Sequence, residues 1–150
     1  MPGSPASPLD LLPHAPPFLF LTRVVSLEAG VSGVAEWALT GEEDFFRGHF
    51  PGEPVVPGVL LTESAAQLCG LVACAHEPAD ADARPGRVRL AQSHMKFPGS
   101  AAPPATIVLR AEFLRAIGPL RMLRATAEHD GRVVAEGTIT LASLDDGGAR

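Results

Sequence analysis

Two ionisable side chains have the types and positions needed for acid–base chemistry. His49 lies in the segment 48–58, which contains three Gly and three Pro, so its small neighbours leave the imidazole room to face a cleft. Glu63 is the only charged residue between Val59 and Ala75. Apolar surroundings favour the protonated form of a carboxylic acid, so Glu63 is a candidate acid and His49 a candidate base. Each also has an ordinary explanation, as an exposed loop histidine and as a glutamate stabilised in the first turn of a helix.

A base, an acid and the backbone N–H groups of a helix N-terminus together suit removal of a proton next to a thioester or ketone carbonyl. Gln67 follows Glu63 by one helical turn and is placed to orient the carboxyl group. Acyl transfer through a nucleophile fits less well, because no Ser or Cys occupies a nucleophile-elbow motif and Ser64 lies within the apolar run.

The remaining histidines and the cysteines do not predict a site, and we expect neither a metal nor a cofactor. The possible zinc ligands lack the paired spacing of zinc sites: Cys69, Cys74, His76 and His94. Ordinary structural positions account for the histidines outside the loop: a Pro-rich turn for His14, a helix C-terminus for His76, a strand for His94 and a hairpin turn for His129.

The elements that position His49 and Glu63 are a rigid loop and a buried helix. The segment 41–58 has no hydrophobic periodicity, and its Pro and Gly content predicts a placed loop. The run from Val59 to about His76 is apolar almost all round, which predicts a helix wrapped by other structure. Asp130-Gly131 predicts a tight hairpin. Strands are predicted at 17–28, 31–39, 88–97, 105–116, 120–129 and 132–143, and the second and the last show one covered and one polar face by alternation.

These elements predict an α+β fold, in which an antiparallel sheet of about six strands wraps around one long central helix. The chain has 150 residues, 46% of them hydrophobic, which is enough to hold a core without disulfide or metal. We predict one domain over 9–143, with flexible segments at 1–8 and 144–150.

Charge and hydropathy exclude several partners and locations. The 12 basic and 17 acidic residues give a formal net charge of −5, which argues against nucleic acid. The longest apolar run is interrupted by polar residues and does not fit a membrane span. No secretory signal is recognisable, and Cys69 and Cys74 are spaced too far along one helix to pair, so we expect a reducing, cytoplasmic location.

The stretch from His49 to Gln67 resembles a known family signature. It reads HFPGEPVVPGVLLTESAAQ and is similar to the signature of bacterial 3-hydroxyacyl-[acyl-carrier-protein] dehydratases, the hotdog-fold enzymes of type II fatty acid synthesis. Supporting matches are Leu12-Pro13-His14, Lys96-Phe97 and the closing stretch 134–137. The resemblance extends over 11–142.

The resemblance implies a hotdog fold and a mechanism. His49 would remove the C2 proton of a (3R)-3-hydroxyacyl thioester, and Glu63 would protonate the departing C3 hydroxyl to leave a trans-2-enoyl thioester. The Gly58 N–H would bind the thioester oxygen. Further substrate contacts would come from Phe50, Val59 and Gln67.

The resemblance also implies partners. The substrate would be carried on the phosphopantetheine of an acyl carrier protein, and two copies of the chain would pair so that each site combines the His of one with the acid of the other. A trimer of such dimers or a heteromer is equally compatible. Carriers commonly dock on positive charge near the tunnel mouth, so Lys96 is the candidate docking residue, although Pro98-Gly99 replaces the family's usual basic pair.

Two other functions remain open: a hotdog acyl thioesterase, in which a helix carboxylate activates water, and a partner subunit of a heteromeric dehydratase. Glu at position 63 follows the pattern of dehydratases that do not isomerise their product. The altered loop after Lys96-Phe97 and the absence of Tyr suggest a specialised pathway, such as polyketide or polyene assembly.

Overall fold

The computed structural model describes residues 7–74 and 88–143. The predicted end of the helix at His76, the tail 144–150 and most of the predicted flexible segment 1–8 lie outside the described residues. Within the described ranges one six-stranded sheet packs against one long helix, as the hydrophobic patterns predict.

Every neighbouring pair of strands in the sheet is antiparallel. The strands run in the spatial order β1-β2-β4-β5-β6-β3, so that β1 and β3 form the two edges. Their bounds are β1 Arg23–Glu28, β2 Ser32–Leu39, β3 Val88–Lys96, β4 Ala105–Ile117, β5 Leu120–His129 and β6 Arg132–Ser143.

The helix α1 (Gly58–Cys74) lies across one face of this sheet. Its fully buried side chains, Leu68 and Val72 among them, meet buried residues of the central strands such as Leu109. Burial contributes roughly 1.5–3 kcal/mol for a side chain of this size. Gly33 on β2 allows the close approach, because a Cβ there would lie 3.0 Å from a methyl group of Val72.

The first strand begins later than predicted, at Arg23 rather than at residue 17. Thr22, directly before the strand, still donates its N–H to the Glu36 carbonyl of β2 at 2.7 Å. Earlier backbone groups are bonded to a helix side chain: the Phe20 N–H donates to Oε1 of Gln67 at 2.9 Å, and Nε2 of Gln67 donates to the Phe18 carbonyl at 3.1 Å. A side chain in α1 therefore replaces the ladder hydrogen bonds that a longer strand would make.

An aromatic cluster joins this N-terminal segment to the loop that follows β2. Trp37 is 5% exposed, and its ring centroid lies 5.3 Å from that of Phe20 and 6.4 Å from that of Phe45. Phe45 belongs to a short 3-10 helix, Asp44–Arg47, that ends two residues before His49. The two segments are thereby packed on one buried indole.

The predicted hairpin between β5 and β6 is confirmed. Asp130 and Gly131 have φ values of 52° and 77°, the left-handed pair that a two-residue turn of this kind requires.

Candidate active site

The loop that carries His49 is held by backbone hydrogen bonds. The Phe50 N–H donates to the Glu53 carbonyl at 3.1 Å, and the Glu53 N–H donates back to Phe50 at 2.8 Å. The Val55 N–H donates to the His49 carbonyl at 3.1 Å. The fold therefore positions this loop, as its Pro and Gly content predicts.

Glu43 closes the turn that leads from β2 into the loop. Its carboxylate accepts hydrogen bonds from the N–H groups of Gly41 at 2.9 Å and Thr40 at 3.1 Å. Burial alone would raise the pKa of Glu43, but the hydrogen bonds outweigh it and the pKa is lowered from its ordinary value of 4.5. The ionised form of Glu43 therefore stabilises the turn.

His49 has one ring nitrogen engaged and one available. Nδ1 lies 3.0 Å from the Val55 carbonyl oxygen, and since a carbonyl only accepts, Nδ1 carries the hydrogen. This assignment leaves the lone pair on Nε2, where a base needs it. The imidazole also stacks on the ring of Phe50, with 4.2 Å between the centroids.

Glu63 is held by the residue one turn further along α1. Its Oε2 accepts a hydrogen bond from Nε2 of Gln67 at 3.1 Å, the contact that the spacing of the two residues predicts. Gln67 is buried and is itself fixed by the backbone of Phe18 and Phe20. The Glu63 side chain is 25% exposed, so it is accessible from a cavity and is not fully enclosed by apolar contacts.

His14 is a further ionisable group at Glu63 that the sequence interpretation assigned to a structural turn. Its Nε2 lies 3.5 Å from Oε2 of Glu63. Its Nδ1 is buried and has no hydrogen-bond partner among the described residues. The available signal was the motif Leu12-Pro13-His14, which belongs to the family resemblance but carries no indication of chemistry by itself.

A cavity of about 310 Å³ opens beside Glu63. It runs along one face of α1, past Gln67 to Gly70, and its opposite wall includes Leu90 on β3 and Leu141 on β6. His14 lines the same end as Glu63. Carboxylic acid, imidazole and apolar wall therefore meet in one space.

His49 is not among the described residues that line this cavity. The structure of one chain thus brings Glu63, Gln67 and His14 together and leaves the predicted base apart. Phe50 and Val59, two of the predicted substrate contacts, are 54% and 78% exposed. This half of the predicted site lies outside the lining of the cavity of its own chain.

Gly58 opens α1, and the N–H groups of a first helical turn have no acceptor within the helix. The ring of Phe97 lies over this residue, since a Cβ at position 58 would be 3.2 Å from it. A side chain at position 58 would therefore require the Phe97 ring to shift by a few tenths of an ångström.

Residues 12–138 match the family model of the FabA-like domain. The chain belongs to the FabA-like family. This FabA-like chain is similar to a curated protein named 3-hydroxyacyl-[acyl-carrier-protein] dehydratase FabZ from Anaeromyxobacter sp. (strain Fw109-5), with 41% identity over 127 residues that cover 84% of this chain and 80% of the relative. A protein of the same name from Ruminiclostridium cellulolyticum is 38% identical over 133 residues, which cover 89% of this chain and 92% of the relative.

The fold of the FabA-like domain also matches a solved structure. The dehydratase heterocomplex ApeI:P from Xenorhabdus doucetiae has a TM-score of 0.79 with this chain at 14% sequence identity, and the match covers 96% of this chain and 95% of the other. A likeness at this identity is one of fold, and it confirms the predicted hotdog architecture.

Lys96 of the FabA-like domain ends β3 on the outer face of the sheet, opposite Glu136 on β6. The two side chains line a groove of about 320 Å³ that also includes His94 and Arg124. The next residue along the chain is Phe97, which covers Gly58. Lys96 therefore lies on the outside of the sheet, one residue from the group that packs over the helix start.

Within residues 7–74 and 88–143, no group of three or more His, Cys, Asp or Glu side chains is arranged to hold a metal ion. No helix in those ranges has the length and apolar character of a membrane span.

Proposed function

We propose that this FabA-like chain is a 3-hydroxyacyl-[acyl-carrier-protein] dehydratase, which removes water from a (3R)-3-hydroxyacyl thioester to give a trans-2-enoyl thioester. The observation that carries the proposal is a pair of oriented acid–base groups: Nδ1 of His49 on the Val55 carbonyl, and the Glu63 carboxyl group on the Gln67 amide. Relatives named as dehydratases cover most of the chain and support the same reaction.

The elimination begins at C2 of the substrate. Nε2 of His49 takes the C2 proton, and the charge that develops on the thioester oxygen is stabilised by the Gly58 N–H. The C3–O bond then breaks as protonated Glu63 delivers its proton to the departing hydroxyl, which leaves as water. The electron pair of the C2–H bond becomes the new double bond, and the enzyme is reset when His49 loses a proton and Glu63 regains one.

The active unit in this proposal contains two copies of the chain. Within one chain His49 lies outside the cavity of Glu63, while β3 is an edge strand with an exposed Leu90. An unpaired edge with apolar side chains is suited to pairing with a second copy. Each site of the homodimer then takes its base from one copy and its acid from the other, and further association of dimers leaves this pairing intact.

The partner that delivers substrate is an acyl carrier protein bearing a phosphopantetheine thioester. Its docking position includes Lys96, which is supported by two observations. Lys96 precedes the Phe97 ring that packs at Gly58, and it shares its groove with Arg124 and His94. Positive charge at this position suits an acidic carrier.

The proposal extends to a specialised pathway and a cytoplasmic location. The Pro98-Gly99 segment and the absence of Tyr support polyketide or polyene assembly over bulk fatty acid synthesis. The buried free thiol of Cys69 suits a reducing compartment. Deletion of the gene should accordingly leave bulk fatty acid synthesis running.

The test is incubation of the purified chain with a carrier-bound 3-hydroxyacyl thioester, with the product read by mass. We expect loss of one water with the thioester intact, and no product from folded His49→Ala or Glu63→Ala. Matched controls are His129→Ala and Glu42→Ala, which remove the same groups elsewhere and should retain activity. Release of free thiol would identify a thioesterase instead, and activity only after a second chain is added would identify a partner subunit.

A further inference from the structure

Gly70 occupies an unfavourable place for a glycine, in the interior of α1 (Gly58–Cys74). Glycine in a helix interior destabilises it relative to alanine, because its backbone loses more conformational freedom on folding. A glycine at such a position therefore calls for a packing or functional reason.

No described neighbour takes the space at Gly70. A Cβ built there meets no atom within 4 Å among the described residues, although the residue is buried. At Gly33 and Gly58, by contrast, a Cβ would lie 3.0 Å from Val72 and 3.2 Å from Phe97. Packing of the described residues explains those two glycines and does not explain Gly70.

The space in front of Gly70 belongs to the cavity beside Glu63. Both residues line it, and they lie on the same face of α1 because they are two helical turns apart. Seven residues of helix separate them by about 10 Å. Val88, Leu90 and Leu141 supply apolar lining on the strand side, and Arg89 is the charged residue among them.

We propose that Gly70 determines the length of the acyl chain that the enzyme accepts. The inference depends on the proposed dehydratase function: with C3 of the substrate at Glu63, the acyl tail lies along α1 and passes the missing side chain at position 70. A methylene extends a chain by roughly 1.25 Å, so about eight carbons beyond C3 reach this point. Short tails end before Gly70, and long tails need its open space.

The experiment compares wild type with Gly70→Ala and Gly70→Leu on carrier-bound 3-hydroxybutyryl and 3-hydroxytetradecanoyl thioesters. We expect Gly70→Leu to lower kcat/KM for the long substrate at least about tenfold and to change that for the short one less than about twofold. Gly70→Ala should shift the ratio in the same direction by less. Since alanine is a better helix former than glycine, the unfolding midpoint of Gly70→Ala should equal or exceed that of wild type.

A matched control places a leucine outside the cavity. Ala38→Leu on the exposed face of β2 should leave the ratio of long to short substrate unchanged. Equal effects of Gly70→Leu on both substrates in a folded protein, or no effect on either, would overturn the proposal.

A binding measurement separates this inference from the proposed reaction. Saturated acyl-pantetheine thioesters of the same two lengths cannot lose water, so their binding to wild type and Gly70→Leu is measured by calorimetry. Weaker binding of only the long thioester to Gly70→Leu supports the inference even where no dehydration is found. The same affinity of both proteins for the long thioester would contradict it.

Discussion

Glu63 has two polar neighbours with different parts in the structure. Gln67 bonds both the carboxyl group and the backbone of the segment before β1, so it connects the acid to the fold. His14 contacts the carboxyl group at 3.5 Å, a distance too long for a good hydrogen bond. The contact of Gln67 was predictable from helical spacing. That of His14 was not, because it joins residues 49 positions apart.

Removal of His14 tests whether it positions Glu63. We expect His14→Ala to lower kcat about tenfold while KM and the unfolding midpoint change little, because a contact made to the acid matters most in the transition state. His14→Gln retains a donor and should recover part of the loss. His129→Ala, at the end of β5, is the control. Equal kcat for His14→Ala and wild type would show that the contact is incidental.

The thiol of Cys69 should be unreactive in the folded protein. Complete burial raises the pKa of its thiol from 9.0 to about 12, so the reactive thiolate is scarce at neutral pH. We expect iodoacetamide to leave Cys69 unmodified in the folded protein and to modify it after denaturation, as measured by mass spectrometry of the peptide that contains it. Modification at equal rates in both states would contradict its burial.

Among the elements, the loop before α1 shows most clearly what local sequence can predict. Its Pro and Gly content indicated a placed segment, and the hydrogen bonds within 49–55 confirm this. The late start of β1 was not predictable, since the apolar run 18–21 is compatible with a strand whether or not its backbone joins the sheet. The Phe20 N–H and the Phe18 carbonyl are instead hydrogen-bonded to the side chain of Gln67. No local sequence pattern predicts a contact between residues so far apart in the chain.

The turn closed by Glu43 should make stability depend on pH. The folded pKa is lowered, so the contribution of Glu43 is complete above its ordinary value of 4.5 and is lost as the pH falls through the lower folded value. We expect Glu43→Gln to lower the unfolding midpoint at pH 7, and the difference from wild type to disappear in acid. Glu42→Gln, an exposed neighbour, should have little effect. A difference independent of pH would show that the ionised form is not responsible.

For the whole molecule, the sequence predicted the fold class, six strands with a helix after the second, and the residues that resemble a catalytic pair. It did not predict the cavity, because its walls come from α1, β3 and β6 and from the segment around His14. Nor could spacing alone show that His49 and the cavity of Glu63 lie apart in one chain. Both are properties of packing between distant segments.

Mixing of two inactive variants tests the shared site. In a dimer formed from His49→Ala and Glu63→Gln chains, one of the two sites has both native residues. Random reassociation of equal amounts should therefore restore about a quarter of wild-type activity per chain. Continued inactivity of a mixture shown to have exchanged subunits would place both residues of each site in one chain.

Docking of the carrier is tested by reversing the charge at Lys96. We expect Lys96→Glu to raise KM for a carrier-bound substrate several-fold and to leave KM for the same acyl group on N-acetylcysteamine unchanged, because only the first substrate meets the outer surface. Arg132→Glu, in the exposed β5–β6 turn, is the matched control. Equal changes with both substrates would indicate a role in the site rather than in docking.

The aromatic cluster around Trp37 provides a fluorescence signal that reports on the two segments that hold Glu63 and His49 in place. Trp37 is the only tryptophan and the chain has no tyrosine, so ultraviolet fluorescence above the phenylalanine range comes from one indole. That indole packs on Phe20, whose backbone is bonded to Gln67, and on Phe45, which precedes His49. Loosening of either segment would admit water to the indole and shift its fluorescence emission to longer wavelength. The packing that supports Glu63 and His49 can therefore be followed without a label.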